Sequence, residues 1–381
     1  MKITGIETFL VPPRWMFCRV RTDEGVVGWG EPIVEGRAEV VRAAVHVLAE
    51  YLIGRDPLRV EDHWQVMANG GFYRGGPVLS SALAGLDQAL WDIAGKTYGV
   101  PVHALLGGHV RDRVRVYSWV GGDEPAELAD GIGARLAAGF TAIKMNATGR
   151  MPALATPADL AGVVERVALA RELLGPARDL ALDFHGRVSA ADARRILPLV
   201  AQFQPMFAEE PVLPDRPHLL PGVVAASGVP IATGERLYSR WDFRPVLEAG
   251  VAVVQPDLSH AGGISETRRI AALAEVWDAK LAPHCPLGPL ALAASLQVAF
   301  ATPNFLIQEQ SIGLHYNEGA DLLDYVADPA VFRFTDGYVA RPEAPGLGVE
   351  IDEAAVRRAD QAGHAWRNPV WRHEDGGPAE W

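Results

Sequence analysis

Cysteine is almost absent from this 381-residue chain: Cys18 and Cys285 are too few for a disulfide framework, and such sparing use fits a reducing cytoplasm. Long apolar runs are missing too. No stretch of roughly 18 apolar residues occurs, which excludes a membrane-spanning helix. The opening MKITGIETFLVPPRW is broken by Glu7 and by Pro12-Pro13 before a run of signal-peptide length can form. Positive charge is scarce, with 35 Lys and Arg against 47 Asp and Glu, for a formal net charge of -12. Phosphate recognition leans on clustered Lys and Arg, so neither nucleic acid nor a membrane surface is an expected partner. Low-complexity tracts and long linkers are also lacking. The expectation is a folded cytoplasmic protein, a homo-oligomer, that acts on a small molecule.

What is present is an ordinary globular composition, 49% hydrophobic and 22% charged, at a length that fits a barrel plus a smaller lobe. Residues 1–112 read as an α+β domain. Apolar alternation through Ile3 to Val11 and Phe17 to Trp29, interrupted at Asp23-Glu24-Gly25, predicts antiparallel strands. Helical spacing follows over Arg37 to Leu52 and Leu79 to Thr97, where Leu83, Leu86, Leu90 and Ile93 form one stripe that stops at Gly99 and Pro101.

From residue 113 to 320 eight short apolar runs alternate with helical stretches: VRVYSWVGG, TAIKMN, LALDFHG, PMFAEEP, PIATGE, VAVVQPD, AKLAPHC and FLIQEQ. Repeated strand and helix of this kind predict a β/α barrel. Between the second and third runs, Thr156 is the expected N-cap, Pro157 the first helical residue and Gly175 the end. Residues 321–381, rich in tryptophan, are expected to fold back on the N-terminal lobe.

Barrels of β/α units carry their chemistry at the C-terminal ends of the strands. Asp183, Glu209 and Glu235 close three successive runs at equal steps of 26 residues, and Asp257, His284 and Glu309 close the next three. Strand alternation turns Asp183 and His185 to one face, and likewise Lys144 and Asn146, while it allows only one of Glu209 and Glu210 to point inward. The even spacing selects Glu209. Three converging carboxylates repel one another unless a hard cation such as Mg2+ lies between them. Asp257, one unit before His284, is placed to hold that ring as a general base. His260 and His315 also lie near the mouth and stay open from spacing alone. The histidines at 46, 63, 103, 109, 218 and 364 fit surface or packing roles.

This constellation, with segments such as LDFHGRVSA, EEPV, TGER and APHCPLGP, resembles the mandelate-racemase branch of the enolase superfamily. The resemblance implies an α+β capping domain on a modified TIM barrel of seven β/α units closed by a final strand. It also implies an acid-sugar dehydratase, with D-galactonate the first choice of substrate and gluconate or arabinonate the alternatives; a racemase, a cycloisomerase or a silent homologue ranks lower. By that resemblance Asp183, Glu209 and Glu235 hold Mg2+, His284 with Asp257 is the base, His185 the acid, and Glu309 a stabiliser of the intermediate, by a hydrogen bond where it stays protonated. Lys144 adds positive charge for the substrate carboxylate. Racemases of the branch carry Lys-x-Lys on the second strand. Here Lys144-Met145-Asn146 leaves out the second base and favours one-sided proton removal. Arg14, Trp15 and Phe17, in the lobe segment expected over the mouth, are candidates for substrate selection.

Overall fold

The computed structural model describes residues 1–122, 124–314 and 317–380. Three antiparallel strands open the chain: β1 (Ile3–Val11), β2 (Trp15–Thr22) and β3 (Val27–Gly30), paired in sequence order. Four helices follow: α1 (Ala38–Leu52), α2 (Val60–Asn69), α3 (Pro77–Tyr98) and the short α4 (Val102–Leu105). Pro77 starts α3 at its first turn, and Gly99, in the left-handed region at φ 69°, ends it. The stripe Leu83, Leu86, Leu90 and Ile93 is buried. Gly28 and Gly30 let β3 lie so close to α3 that a side-chain carbon at either would collide with the carbonyl oxygens of Ala89 and Gly85.

Eight parallel strands then form the barrel: β4 (Arg113–Val120), β5 (Ala142–Asn146), β6 (Asp179–Asp183), β7 (Phe207–Glu209), β8 (Ile231–Thr233), β9 (Val253–Val254), β10 (Lys280–Leu281) and β11 (Gln308–Gln310). Each pairs with the next up to β10, β11 pairs with β4, and a bridge from Leu281 to Phe305 closes the ring. Seven helices fill the connections: α5 (Pro125–Ala137), α6 (Pro157–Leu174), α7 (Ala190–Val200), α8 (Leu220–Ala226), α9 (Arg240–Glu248), α10 (Gly263–Val276) and α11 (Pro289–Ala301). At α6 the Thr156 and Asp159 side chains cap each other's backbone, the arrangement that satisfies two otherwise orphaned N–H groups. The barrel is thus seven β/α units and a closing strand.

Inside it, Tyr117, Ala142, Ala181, Phe207, Ala232, Val253, Ala282 and Ile307 form a separate apolar cluster, one residue from each strand or its end. They are the floor. Because strand side chains alternate with a period of two, the next inward position lies two residues further on. That layer reads Trp119, Lys144, Asp183, Glu209, Gly234, Gln255, His284 and Glu309. The rim above it includes Asn146, His185, Arg236 and Asp257.

After the barrel, β12 (Phe334–Thr335) and β13 (Tyr338–Ala340) extend the sheet antiparallel to β4, and α12 (Glu353–Ala362) packs on β1. Asp360 accepts from the Leu10 N–H at 2.7 Å, and Tyr325 donates to the Pro12 carbonyl at 2.6 Å. A hairpin of β14 (Trp371–Arg372) and β15 (Pro378–Ala379) ends the described chain.

The first lobe is fastened to the barrel by buried carboxylates at helix starts. Glu31 accepts from the Gly288 and Ala291 N–H groups at the head of α11, at 2.7 and 2.9 Å. Asp87 accepts from the Ser265 N–H and hydroxyl in the first turn of α10. Helix N-termini carry unpaired N–H groups and partial positive charge, so an acid from another element caps them well. The α11 contact lies four residues beyond His284 and ties the lobe to the C-terminal rim of the barrel.

Candidate active site

A cavity of about 620 Å³ opens at the C-terminal ends of the barrel strands, and its lining includes Lys144, Asn146, Asp183, His185, Glu235, His284 and Glu309. Strand parity brings most of them there. Glu235 arrives by a different route, since the inward position on β8 is Gly234. Its φ of 146° turns the chain so that the following residue faces the cavity, and an added carbon there would strike the Phe243 ring. On β6, the Asp183 Oδ1 accepts from the His185 N–H at 2.9 Å, and His185 itself takes a left-handed backbone at φ 47°. This turn lifts the imidazole over the carboxylate, with Nε2 3.0 Å from Asp183 Oδ2.

His284 is held from two sides. Its Nδ1 lies 2.8 Å from Asp257 Oδ2, and its Nε2 faces Glu235 Oε2 at 3.1 Å. Burial alone would lower the pKa of the ring, but Glu235, then Glu309, and the hydrogen bond with Asp257 raise it to about 10. Burial likewise opposes ionisation of Glu235, yet His284 and His185 hold it down to about 2.

Lys144 is only 1% exposed and meets three carboxylates: both Glu209 oxygens at 2.9 Å, Glu309 Oε1 at 2.9 Å and Asp183 at 3.7 Å. Burial works against its charge, and Glu209 and Glu309 more than restore it. Glu309 accepts at both oxygens, from Lys144 and from the Cys285 N–H at 2.9 Å. Both contacts hold the carboxyl at the edge of the cavity, beside His284. Glu209 also accepts from Gln255 at 2.6 Å, and burial, then Asp183, pushes its carboxyl well above the ordinary range. Glu210, past the strand end and in the left-handed region at φ 43°, is buried against Arg236 at 2.5 Å.

Does a divalent cation fit? Asp183 Oδ2 and Glu235 Oε2 are buried without a hydrogen bond among the described residues, each facing only charged or titratable neighbours. Ligand atoms of Asp183, His185 and Glu235 all lie within 4.8 Å of one another. Buried carboxylate oxygens without a hydrogen bond at the end of a barrel, with a single lysine among them, suit an oxygen-preferring dication. The gathered set differs from the expected one in a single member. Glu209 is turned to Lys144 and Gln255, and His185 stands nearer the other two acids.

Other candidates fare differently. Arg14 lines the cavity, pairs with Glu35 and donates to the Pro286 carbonyl at 2.6 Å. Trp15 and Phe17 do not line it; both are fully buried, their rings edge-on to Tyr325. Two residues apart on β2, they share one face of the lobe sheet and pack there. His260 is buried beside Ser81, with Nε2 3.9 Å from Asp257. His315 lies outside the described residues. Residues not anticipated also line the cavity: Trp119 is legible from strand parity, whereas Trp366, Asn368, Trp371 and Glu380 come from the C-terminal segment. No local pattern announces those four.

Comparison with known proteins assigns the chain to a family. Residues 10–107 match the family described as mandelate racemase/muconate lactonizing enzyme, N-terminal domain, and residues 127–355 match the enolase C-terminal domain-like family. The chain is 55% identical to D-galactonate dehydratase of Ralstonia pickettii (strain 12J) and 54% identical to that of Cronobacter sakazakii (strain ATCC BAA-894), with 100% of both partners covered in each case. A solved enolase from Agrobacterium radiobacter, with sodium and L-malate bound, superposes with a TM-score of 0.92 at 32% identity over 100% of both chains. The mandelate racemase/muconate lactonizing enzyme from Jannaschia sp. CCS1 gives 0.86 at 31% identity over 98% of this chain and 99% of that one. The chain belongs to the mandelate-racemase branch of the enolase superfamily, in the group whose curated relatives are D-galactonate dehydratases.

Proposed function

We propose that this protein is a hydro-lyase that converts D-galactonate to 2-dehydro-3-deoxy-D-galactonate with Mg2+ as its cofactor. The observation that carries the reading is the pair of histidines flanking two buried acids: His284 against Glu235 at 3.1 Å and His185 against Asp183 at 3.0 Å. Asp183, Glu209 and Glu235 would hold the ion. Bound there, the ion would supply positive charge for the substrate carboxylate and for the negative charge that develops as the adjacent carbon loses its proton.

The chain's own groups do the rest. Asp257 fixes His284 through Nδ1; with Glu235, the charge that most raises the ring, engaged by the ion, Nε2 would be left to accept the proton from carbon 2. His185 gives a proton to the departing hydroxyl of carbon 3, so that water leaves and the enol tautomerises to the keto acid. Lys144 balances Glu209 and Glu309 and keeps their oxygens in place, which gives Glu309 an indirect part in steadying the charged intermediate. Arg14 and Asn146 are read as substrate contacts. The domain reading is a cap of residues 1–112, a barrel of 113–320 and a closing segment of 321–381. A cytoplasmic homo-oligomer is the proposed form.

Product analysis with D-galactonate, gluconate and arabinonate tests the substrate. Histidine variants test the roles. His185→Asn is expected to retain exchange of the carbon-2 proton with solvent deuterium while losing dehydration, whereas His284→Asn loses both. A 3-fluoro analogue, whose leaving group needs no full protonation, should restore turnover in the His185 variant alone. Turnover of that analogue by His284→Asn but not by His185→Asn would reverse the assignment.

A further inference from the structure

Residues 364–380 leave the lobe and run across the mouth of the cavity as a strap. His364 Nε2 is 3.0 Å from the Trp15 carbonyl. Trp366 stands over the Arg14 guanidinium at 5.8 Å, and Trp371 over that of Arg187 at 4.6 Å. Arg187 in turn donates to the Thr148 carbonyl at 2.8 Å, and Arg150 donates to the Arg372 carbonyl. The strap is therefore tied at one end to the lobe and at the other to the loops after β5 and β6.

Its seat is specific. Gly36 has φ 74°, and a carbon added there would run into the Asn368 side chain and its backbone nitrogen. The cap loop has no room for a side chain where the strap crosses it. Past that crossing, the hairpin of β14 and β15 pairs Trp371 with Ala379 and sets Glu380 at the cavity edge.

The floor of the cavity carries all the carboxylates and both histidines that the proposed reaction uses, so the carboxylate end of an acid sugar occupies that side. We infer that the strap is the wall that binds the far, non-reacting end of the sugar acid and makes the site specific for a long polyhydroxy chain. This rests on the dehydratase reading above. Its chemistry suits a polyol: tryptophan faces cover the C–H faces of the chain, and the Asn368 amide and Glu380 carboxylate exchange hydrogen bonds with hydroxyls. Binding energy collected there, away from the reacting carbons, orients carbons 2 and 3 between the histidines.

The test compares D-galactonate with D-glycerate, which has the same carboxylate, carbon-2 proton and carbon-3 hydroxyl but is too short to reach the strap. Both are titrated calorimetrically, with Mg2+, into the inert His284→Asn protein and into the same protein carrying Trp371→Ala or Gly36→Ala. The second variant removes no strap residue and only displaces the strap from its seat. Each is expected to lower the preference for D-galactonate over D-glycerate by roughly tenfold, the scale of losing a buried tryptophan contact. Hydrogen exchange in the strap of His284→Asn should slow with D-galactonate and not with D-glycerate. An unchanged preference in both variants, or equal weakening of both acids, overturns the inference, as does strap exchange that ignores D-galactonate. Failure of His284→Asn to bind either acid would instead remove the dehydratase reading on which it rests.

Discussion

Replacing Lys144 by methionine should destabilise the protein in a way that depends on pH. The ammonium is buried, and it meets Glu209 and Glu309 at 2.9 Å and Asp183 at 3.7 Å. Removing one partner of a buried ion pair strands the other, at a cost of about 3–5 kcal/mol. Unfolding entropy of about 2.1 cal/mol/K per residue over 381 residues is ~0.8 kcal/mol/K, so the melting temperature in chelator should fall by about 4–6 °C. Burial already raises the Glu209 carboxyl well above its ordinary value, and loss of the lysine raises it further. A carboxyl raised on folding costs stability above its unfolded value of about 4.3 and nothing below it. The deficit should thus be largest near about pH 8 and shrink toward about pH 4 as Glu209 takes up a proton. Mg2+ should recover part of it by mass action, about 2.7 kcal/mol at one hundred times its dissociation constant. Differential scanning fluorimetry across pH, with chelator and with Mg2+, provides the readout. A variant that melts with wild type in chelator at high pH, or with a deficit independent of pH, would refute this account of the carboxylate cluster.

Asp257→Asn should leave the fold intact and lower kcat by roughly 10²–10⁴, because it unsettles the tautomer and orientation of His284; near-normal turnover would detach Asp257 from the base. Asp87 is raised from its usual 3.8 to about 7, chiefly by burial. Its contribution to stability is therefore complete at acid pH and is lost as pH rises from about 4 through 7, so Asp87→Asn should flatten the slope of denaturant-measured stability over that window, and an unaltered slope would contradict it. Asn146 cannot act as a second base, so proton NMR should detect no carbon-2 epimer of D-galactonate ahead of the dehydrated product; its accumulation would favour a racemase.

The sequence by itself determined the barrel and most of its mouth. Strand alternation and helix stops are local, and they place Lys144, Asp183, Glu209, His284 and Glu309 in one inward layer without any knowledge of what packs outside. They also separate Glu209, in the inward layer, from Glu210, which pairs with Arg236 instead. Glu235 was legible from spacing only. The backbone route that delivers it depends on Gly234 at φ 146°, which parity alone would have set facing inward. Tertiary structure decided the remainder. Which acid the lysine draws depends on distances across the barrel, and there Lys144 takes Glu209 and Glu309 while His185 stands over Asp183. Trp15 and Phe17 carry aromatic rings suited to a binding wall, yet Tyr325, more than 300 residues away in the chain, closes over both and makes them core. The wall comes from Trp366 and Trp371 instead, because contacts with Arg14, Gly36 and Arg187 steer the end of the chain over the mouth. Local periodicity specifies which way a side chain points from its own element; which distant element will cover it is fixed only when the whole chain packs.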